Sequence, residues 1–426
     1  MTDPSLDLVE GDRVEVEVGA PAHGGHCVAR LDGRVLFVRH ALPGERVTAE
    51  ITERHRGYLR ADAVEIHTPS PARVRPPCPY AHPGGCGGCD LQHVAGDAQL
   101  RWKGQVVEEQ LRRLAGLSLS VRVEELPTAT AGDRLLGWRS RVRYAVDAAG
   151  RPGLLQHRSH QVVPIDRCLI AHPAIQELDL LRREWPDADA LEAVASTGGD
   201  VVALARAAGS GPLPAEDPTE PGIAAGGRVR LAGPDEVDEV AAGRRWRVPP
   251  EGFWQIHPAA ADTLAAAVVD LLRPAAGEVT WDLYGGAGLF AAAVADRTGA
   301  RTTLVESSPI GCAAARANLA DLAMVEIVEA RVETALHRRR VTGPVDLVVL
   351  DPPRSGAGAR VVRGIAAARP RAVAYVACDP AALARDIGTF LSLGWRLTTL
   401  RSFDCFPMTQ HIECVALLEP AHRTVV

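Results

Sequence analysis

From about Asp262 onwards the chain alternates short apolar strands with helices, and this pattern constrains its fold more than any other feature of the sequence. Val279–Tyr284 is typical of a buried strand, Gly285–Gly288 of a tight turn and Leu289–Arg297 of a helix. Strands and helices that alternate in this way form a parallel sheet with helices on both faces. The sequence therefore predicts an α/β fold with a doubly wound sheet, which we assign to residues 251–426.

The N-terminal part of the chain has a β-rich pattern instead. Arg13–Val18 alternates apolar and charged residues, and Asp32-Gly33 separates two further strand patterns as a hairpin turn would. About five such strands predict a small β-barrel of the OB type over residues 1–68. Barrels of this type often bind nucleic acid, and a scaffold role is the alternative.

Residues 69–250 form the predicted central domain, which we expect to be of the α+β class. A proline-rich linker spans Pro69–Pro77, a helical pattern runs from about Leu91 to Leu114, and hairpin patterns occupy residues 134–170. The stretch from Gly209 to Gly227 predicts a flexible loop.

The basic residues of the chain are unevenly placed. The net charge of −6 does not suggest a protein that binds polyanions. Between Arg134 and Arg167, however, seven arginines stand against two aspartates, a local net charge of +5. Because arginine suits the phosphates and bases of RNA, this stretch is a candidate RNA-binding surface, with an ordinary solvated surface as the alternative.

Two predicted strands of the C-terminal domain end in polar residues. Val345–Leu350 runs into Asp351-Pro352-Pro353-Arg354, and Tyr375-Val376-Ala377 runs into Cys378-Asp379-Pro380. In an open parallel sheet, ligands bind beyond the carboxyl ends of the strands. Cys378 is therefore a candidate nucleophile, and a small buried core residue is the alternative.

A thiol at this edge would allow methylation of carbon 5 of a uracil ring. A thiolate that adds to carbon 6 makes carbon 5 nucleophilic, and a general base must later remove the proton from carbon 5. Glu413 is the candidate base, near a late strand from Val415 to Leu418, and His411 is its rival. Amino-group methylation is the alternative chemistry for an Asp-Pro-Pro motif, but Arg354 replaces the aromatic residue that it uses.

The glycine turn after Asp282 is the candidate cofactor site. Small residues let a ligand approach the backbone at a helix N-terminus, and Glu306 at the end of the next strand suits a ribose diol. The turn is closer to that of S-adenosylmethionine methyltransferases than to a dinucleotide-binding motif. A tight strand–helix turn without a ligand is the alternative.

Three of the nine cysteines lie close together in the sequence, at Cys78, Cys86 and Cys89. In a chain without a visible signal peptide, such a group favours metal binding or catalysis over disulfides. Cys168 is the candidate fourth ligand, and Cys27 also lies outside the group. Four thiolates suit an iron–sulfur cluster or zinc.

Taken together, these motifs resemble the TRAM-domain RNA uracil-5 methyltransferase family, which makes 5-methyluridine in 23S ribosomal RNA or tRNA. The resemblance covers nearly the whole chain and is most specific at Tyr375–Asp386. It implies a TRAM barrel, a central iron–sulfur domain and a Rossmann-like methyltransferase domain. It also implies Cys378 as the nucleophile and Glu413 as the proton acceptor. The implied S-adenosylmethionine contacts are Gln255, Tyr284, Leu289, Glu306 and Asp351, and the implied [4Fe–4S] ligands are Cys78, Cys86, Cys89 and Cys168.

The chain departs from the family pattern at several positions. More residues than usual separate Cys78 from Cys86, Asp379 stands where asparagine is usual, and Leu289 replaces an amide-bearing residue. Two rivals remain on the sequence alone. One is a radical S-adenosylmethionine enzyme, whose Cys-x-x-x-Cys-x-x-Cys motif is missing, and the other is a non-catalytic iron–sulfur protein that binds RNA.

No segment of the sequence reads as a signal peptide or reaches membrane-spanning length. We therefore expect a cytoplasmic, monomeric protein with no membrane partner. RNA is the expected partner, and the resemblance favours ribosomal RNA over tRNA.

Overall fold

The computed structural model describes residues 8–127, 133–209 and 227–421, and the first part of it is a closed five-stranded barrel. Its strands follow the order β1-β2-β3-β5-β4, and β1 closes the barrel by pairing with β4. This confirms the predicted small barrel. The strands are β1 (Arg13–Ala22), β2 (His26–Leu31), β3 (Arg34–Arg39), β4 (Arg46–Arg54) and β5 (Tyr58–Thr68).

Helix α1 (Gly96–Gln110) connects the barrel to the rest of the molecule, and one wider helical turn at Leu111–Ala115 extends it. Trp102 and Val106 on one face of α1 pack into the barrel core. Val107, on the opposite face, packs against the C-terminal domain. The helix therefore belongs to two cores, which is consistent with its burial on more than one side.

The central part of the chain forms a six-stranded sheet and a separate hairpin. The sheet has the order β12-β11-β10-β7-β8-β9, and every neighbouring pair in it is antiparallel. The hairpin pairs β13 with β14. The elements are β6 (Val123–Glu125), β7 (Arg141–Val146), β8 (Pro152–Leu155), β9 (Val162–Pro164), α2 (Pro173–Gln176), β10 (Ala188–Ala195), β11 (Val201–Ala207), β12 (Arg228–Ala232), β13 (Val237–Ala241) and β14 (Arg244–Val248).

The C-terminal part forms the expected doubly wound sheet, with the order β17-β16-β15-β18-β19-β21-β20-β6. Strands β17, β16, β15, β18 and β19 are parallel, and β21 pairs antiparallel with both β19 and β20. The elements are α3 (Ala260–Leu272), β15 (Thr280–Leu283), α4 (Leu289–Thr298), β16 (Thr302–Glu306), α5 (Pro309–Asn318), β17 (Val325–Glu329), α6 (Val332–His337), β18 (Leu347–Leu350), α7 (Gly358–Ala368), β19 (Ala372–Ala377), α8 (Pro380–Ser392), β20 (Trp395–Asp404) and β21 (Glu413–Pro420).

The apolar strands of this sheet are buried on both faces, as parallel strands between two layers of helices must be. Leu347 and Val349 belong to one core, with α3 and α4, and Val348 and Leu350 to the other, with α7 and α8. The strand order reverses between β15 and β18, since the chain runs outward through β16 and β17 before it returns. A ligand crevice is expected at such a reversal, beyond the carboxyl ends of the strands.

One strand lies where the sequence did not place it. β6 (Val123–Glu125) belongs to the predicted central domain, but it pairs with β20 as the outer strand of the C-terminal sheet. The predicted domain boundaries stay a prediction. Apart from its end residues, the predicted loop from Gly209 to Gly227 lies outside the described residues. Within the described ranges, none of the helices has the length and apolar character needed to cross a membrane.

Candidate active site

A cavity of about 630 Å³ opens at the strand reversal, and its volume is within the range of small-molecule sites. Four residues reach it from strand ends: Tyr284 follows β15, Glu306 ends β16, Asp351 follows β18 and Cys378 follows β19. The pairing of these strands places their carboxyl ends side by side. Gln255 and Glu413 complete the set of predicted residues that line the cavity.

Leu289 is the one predicted cofactor contact that the structure does not bring to this cavity. It is the first residue of α4, only 7% exposed, and it packs into the core beneath the glycine turn. An apolar side chain at this position gains more from burial than from facing a polar cleft. Two aromatic residues that the sequence analysis did not single out, Phe253 and Phe406, line the cavity instead.

Cys378 and Glu413 face each other across two paired strands. β19 and β21 are antiparallel, and the register pairs Ala377 with Cys414. One step further along this register, Cys378 stands opposite Glu413. Directly opposed residues of antiparallel strands have Cβ atoms about 4.5–5.5 Å apart. The thiol and the carboxyl therefore share one end of the cavity.

The carboxyl of Glu413 is buried, and its surroundings shift its pKa. The residue is 3% exposed, and burial together with the nearby charge of Asp351 raises the pKa of its carboxyl well above the ordinary value, while Arg354 opposes this. Burial also raises the pKa of Asp351 to about 7, with further contributions from Asp282 and Glu306. Perturbed carboxyls of this kind are typical of functional sites.

His411, the rival base, lies outside the residues that line the cavity. Its ring is within 3.4 Å of an Arg354 side-chain nitrogen and packs edge-on against Phe406. Burial and the charge of Arg354 lower the pKa of His411 well below its ordinary value. The geometry therefore favours Glu413 over His411.

The glycine turn after β15 is held by two carboxylates. Glu306 accepts a hydrogen bond from the Gly286 N–H at 2.9 Å, and Asp282 accepts one from the Ala291 N–H on α4 at 2.8 Å. Gly288 has a φ of +99°, and a Cβ there would lie 2.6 Å from Leu319 Cδ1, so only glycine fits this position.

The polar side chains around this turn fit a polar cofactor. Burial raises the pKa of Asp282 to about 7, and its Oδ1 is a buried atom that has no hydrogen-bond partner among the described residues. Asp282 does not line the cavity, but Gln255, Glu306 and Asp351 do, and their side-chain oxygens can accept hydrogen bonds from a ligand. The residues present at the predicted cofactor site, Leu289 apart, therefore fit such a ligand.

A turn of the barrel reaches the loops that carry the two candidate catalytic residues. His23 Nε2 lies 2.9 Å from Asp379 Oδ2, next to Cys378, and the Gly24 N–H donates to Gln410 Oε1 at 3.2 Å. Asp379 also accepts a hydrogen bond from the Ala382 N–H at 2.7 Å and so caps α8. Sequence reasoning missed His23, since no local pattern links residues so far apart in the chain.

The four predicted metal ligands are neighbours, but they do not form the predicted site. Burial raises the pKa of Cys89, and the thiols of Cys168 and Cys86 raise it further, while Cys78 does the same to Cys168. In the ranges that the structure describes, however, no three Cys, His, Asp or Glu side chains are arranged so that they could hold a metal ion. Cys86, Cys89 and Cys168 instead pack against the apolar core, as small hydrophobic side chains do.

Cys27, the alternative fourth ligand, lies elsewhere. It is fully buried in the barrel core, and its Sγ lies 3.6 Å from the Ala41 carbonyl oxygen.

The arginine-rich stretch is less available for RNA than its charge suggested. Five of its seven arginines form ion pairs within the protein, four of them at 3.2 Å or less, which neutralises much of their charge. These four pairs are Arg134–Asp97 at 2.8 Å, Arg141–Glu239 at 3.2 Å, Arg143–Glu192 at 3.0 Å and Arg151–Asp147 at 2.8 Å. Arg158 is different, because it lies beside the barrel at 4.0 Å from Glu53.

Comparison with known proteins agrees with the fold and the cavity. Residues 8–64 match the TRAM domain model, and residues 239–421 match the model described as tRNA (Uracil-5-)-methyltransferase. An uncharacterized RNA methyltransferase of Streptomyces avermitilis is 49% identical over 97% of this chain and 99% of its own length. The chain belongs to the TRAM-domain RNA uracil-5 methyltransferase family.

Further comparisons support this membership. An uncharacterized RNA methyltransferase of Streptomyces coelicolor is also 49% identical, over 97% of this chain and 94% of its own length. The solved structure of Pyrococcus abyssi tRNA (uracil-54, C5)-methyltransferase in complex with S-adenosyl-L-homocysteine covers 94% of this chain and 99% of its own chain, with a TM-score of 0.69 and 23% identity. At that identity the match shows a common fold.

Family membership settles the class of enzyme and its methyl donor. The protein is an S-adenosylmethionine-dependent RNA (uracil-5-)-methyltransferase, and the cavity at the glycine turn is where the residues fit this cofactor. Membership in an enzyme family also argues against the non-catalytic RNA-binding protein that the sequence alone left open.

Proposed function

We propose that this protein methylates carbon 5 of a uridine in RNA, with Cys378 as the nucleophile and Glu413 as the general base. The observation that supports this most is that Cys378 and Glu413 line the same cavity, each next to the Ala377–Cys414 pair that ends the register of β19 and β21. The glycine turn that fits the methyl donor lines the same cavity through Gly286 and Tyr284.

The proposed reaction begins at the thiol. The Cys378 thiolate adds to carbon 6 of the uracil, and the electron pair of the 5,6 double bond moves onto the ring as an enolate. S-adenosylmethionine would supply the electrophilic methyl group that carbon 5 attacks, and would leave as S-adenosylhomocysteine. Once carbon 5 carries the methyl group, Glu413 removes the remaining proton from carbon 5. The double bond between carbons 5 and 6 re-forms, and the bond between Cys378 and carbon 6 breaks. The thiolate is then free for the next cycle, and Glu413 loses its proton to solvent.

The cofactor would be held by side chains from three strand ends and one loop. Glu306 is placed to accept hydrogen bonds from a ribose diol, since it ends the strand after the glycine turn. Gln255, Tyr284 and Asp351 line the same cavity and are the other proposed contacts. Leu289 is less well supported as a contact because its side chain lies in the core.

The substrate must present its uridine outside a base stack, because the thiol lies inside a cavity. RNA loops offer such bases, so we propose a loop of 23S ribosomal RNA, with tRNA as the alternative. The alternative is strengthened by the Pyrococcus abyssi protein of the same fold, which is a tRNA (uracil-54, C5)-methyltransferase. An RNA substrate of either kind is consistent with a monomer that works in the cytoplasm.

Covalent trapping tests the role of Cys378. With 5-fluorouridine RNA and S-adenosylmethionine, the wild type should form an RNA adduct that survives denaturation, because fluorine cannot leave as the proton does. Cys378→Ala should form none. Cys27→Ala is a matched control, since it removes a buried thiol from the barrel core, and it should form the adduct. An adduct on Cys378→Ala would refute the assignment.

Mapping of modified nucleotides identifies the substrate. In a strain that lacks this gene, mass spectrometry of ribosomal RNA and tRNA should show the loss of one or more 5-methyluridines, and the affected RNA is the substrate. Complementation with Cys378→Ala should leave the modification absent. An unchanged set of 5-methyluridines in both RNAs would contradict the proposed reaction.

The predicted [4Fe–4S] cluster also belongs to this proposal, with zinc as the less favoured metal. Two observations support it. Cys78, Cys86 and Cys89 lie close together in the sequence, and the four cysteines are near enough to shift one another's pKa values. The arrangement of the four side chains does not itself fit a metal, so no step of the reaction is assigned to one.

Metal analysis tests the cluster directly. Anaerobically purified protein should contain about four irons and a broad visible absorbance band that Cys89→Ser removes, if the cluster is present. A colourless protein with one zinc would identify the alternative, and a metal-free protein would reject both.

A further inference from the structure

We propose that a second cavity, between the barrel and the central domain, binds a backbone phosphodiester of the RNA; this rests on the proposed RNA methyltransferase function. This cavity, the barrel-side pocket, has a volume of about 220 Å³ and is separate from the active-site cavity. It is lined from the barrel by His26, Arg39, Glu53 and Arg60, and from the turn between β8 and β9 by His157 and Arg158.

The barrel-side pocket carries excess positive charge. Three arginines line it, and its two acidic residues are Glu53 and Asp62. Glu53 Oε2 lies 3.4 Å from Arg60 Nε and 4.0 Å from Arg158 Nη1, so one carboxylate serves two guanidinium groups. Burial raises the pKa of Asp62, while the charge of Arg39 opposes this. An anion would therefore enter an environment that favours it.

Buried side-chain nitrogen atoms in the pocket also lack hydrogen-bond partners among the described residues. Arg39 is 7% exposed and its Nη2 lies 3.3 Å from Asp90 Oδ1, but its Nε has no hydrogen-bond partner among the described residues. The same holds for Nε2 of His157. An unpaired buried donor costs free energy, and a phosphate oxygen would satisfy it.

His26, one of three histidines that line the pocket, lies close to its arginines. His26 Nε2 lies 3.2 Å from Arg60 Nη1, and the ring packs edge-on against His157 with centroids 6.0 Å apart. Burial lowers the pKa of His26 to about 3, and the charges of Arg60 and Arg39 lower it further. His26 is therefore neutral at physiological pH and leaves the arginines to attract the ligand.

The position of the pocket favours an RNA phosphodiester over other anions. His26 comes three residues after His23, which contacts Asp379 next to Cys378. Three residues span at most about 11 Å, so the pocket lies within a short stretch of chain from the active-site loops. A nucleotide chain that delivers its uridine to Cys378 would pass close to it, and arginine forks are the usual protein ligands of its phosphates.

Salt-dependent RNA binding tests this inference. The probe is RNA from a strain that lacks this gene, bound to wild type, Arg158→Gln, Arg60→Gln and the double variant. We expect about tenfold weaker binding for each lost charge-assisted contact, and a salt slope that is smaller by about one for each. The matched control is Arg13→Gln, an exposed barrel arginine that pairs with Glu50 at 2.9 Å and should bind like wild type.

The outcomes separate this inference from the proposed function. If wild type forms the fluorouridine adduct but the variants bind RNA with wild-type affinity and salt slope, only the phosphodiester site is refuted. If wild type forms no adduct, the proposed function fails first. Because Arg158 is about half exposed, Arg158→Gln should keep its fold even if Arg60→Gln does not, and thermal melting checks this.

Inorganic phosphate separates a site for the RNA backbone from a site for the free anion. Millimolar phosphate should compete with RNA for the wild type and compete less for the double variant. Phosphate binding that the double variant loses, together with RNA binding that it keeps, would mark a free-phosphate site and overturn the RNA assignment.

Discussion

At the scale of single residues, the pKa of the Glu413 carboxyl should determine how the reaction rate depends on pH. Burial and the charge of Asp351 raise its pKa, and a general base acts only when it is ionised. Turnover should therefore rise as the pH rises through this raised pKa. Asp351→Asn removes the neighbouring negative charge, so the pKa of Glu413 should fall and the acid limb of the profile should move to lower pH. The measurement is kcat against pH at saturating S-adenosylmethionine.

The control for this shift is Glu326→Gln, which removes an exposed carboxyl from β17 of the same sheet. Its acid limb should coincide with that of the wild type. An acid limb that stays in place in Asp351→Asn would show that Asp351 does not control the base.

Most of the cavity residues could be predicted because of one geometric rule. The carboxyl ends of adjacent parallel strands share one edge, so Tyr284, Glu306, Asp351 and Cys378 had to lie near each other once the sheet was predicted. The position of Leu289 could not be predicted in this way, because the first residue of a helix can face either the cleft or the core. The contact of His23 with Asp379 depends on how the barrel docks, which no local pattern encodes.

At the scale of secondary structure, Asp379 links the N-terminus of α8 to the barrel. It accepts the Ala382 N–H at 2.7 Å as the cap of α8 and pairs with His23 at 2.9 Å. Asp379→Ala should lower the free energy of unfolding by about 1 kcal/mol, the usual cost of a lost N-cap. Asp379→Asn should retain most of it, because asparagine caps equally well. Urea denaturation followed by circular dichroism measures both.

The comparison of these two variants separates the cap from the ion pair. If Asp379→Asn loses as much stability as Asp379→Ala, the pairing with His23 matters more than the cap. His23→Ala then provides the check, since it removes the pairing and leaves the cap. Equal stability of Asp379→Ala and wild type would contradict both roles.

The elements themselves were predictable to different degrees. The strands of the barrel and the parallel strands follow local periodicity, and they were found where the pattern indicated. β6 was not, because it has three residues and its strand pairing with β20 comes from a distant part of the chain. The metal site stays a prediction, because the spacing of Cys86 and Cys89 shows that the thiols are close along the chain but not how the four side chains are arranged.

At the scale of the whole molecule, the predicted domains are more closely joined than their patterns suggest. α1 packs into both the barrel core and the C-terminal domain, and β6 extends the C-terminal sheet. Such contacts arise when separately predictable units dock, and docking depends on surface complementarity rather than on periodicity. The domain types could therefore be predicted, whereas their shared elements could not.

The ion pair between Lys103 and Asp404 is the strongest test of this docking. Lys103, the one lysine of the chain, lies on α1 with its Nζ 2.5 Å from Asp404 Oδ1 and 3.0 Å from the Phe406 carbonyl oxygen. Both side chains are almost fully buried. Lys103→Met should lower the free energy of unfolding by about 3–5 kcal/mol, because the Asp404 carboxylate would remain buried without a partner.

A second variant distinguishes an effect of the unpaired charge from an effect of lost packing. Lys103→Met combined with Asp404→Leu leaves no unpaired buried charge, so it should recover most of the stability that Lys103→Met loses. Chemical denaturation of the two variants and the wild type measures this. A double variant as unstable as Lys103→Met would mean that α1 depends on the packing of Lys103 and not on its charge. Recovery of stability, by contrast, would show that the loss in Lys103→Met comes from the unpaired buried carboxylate of Asp404.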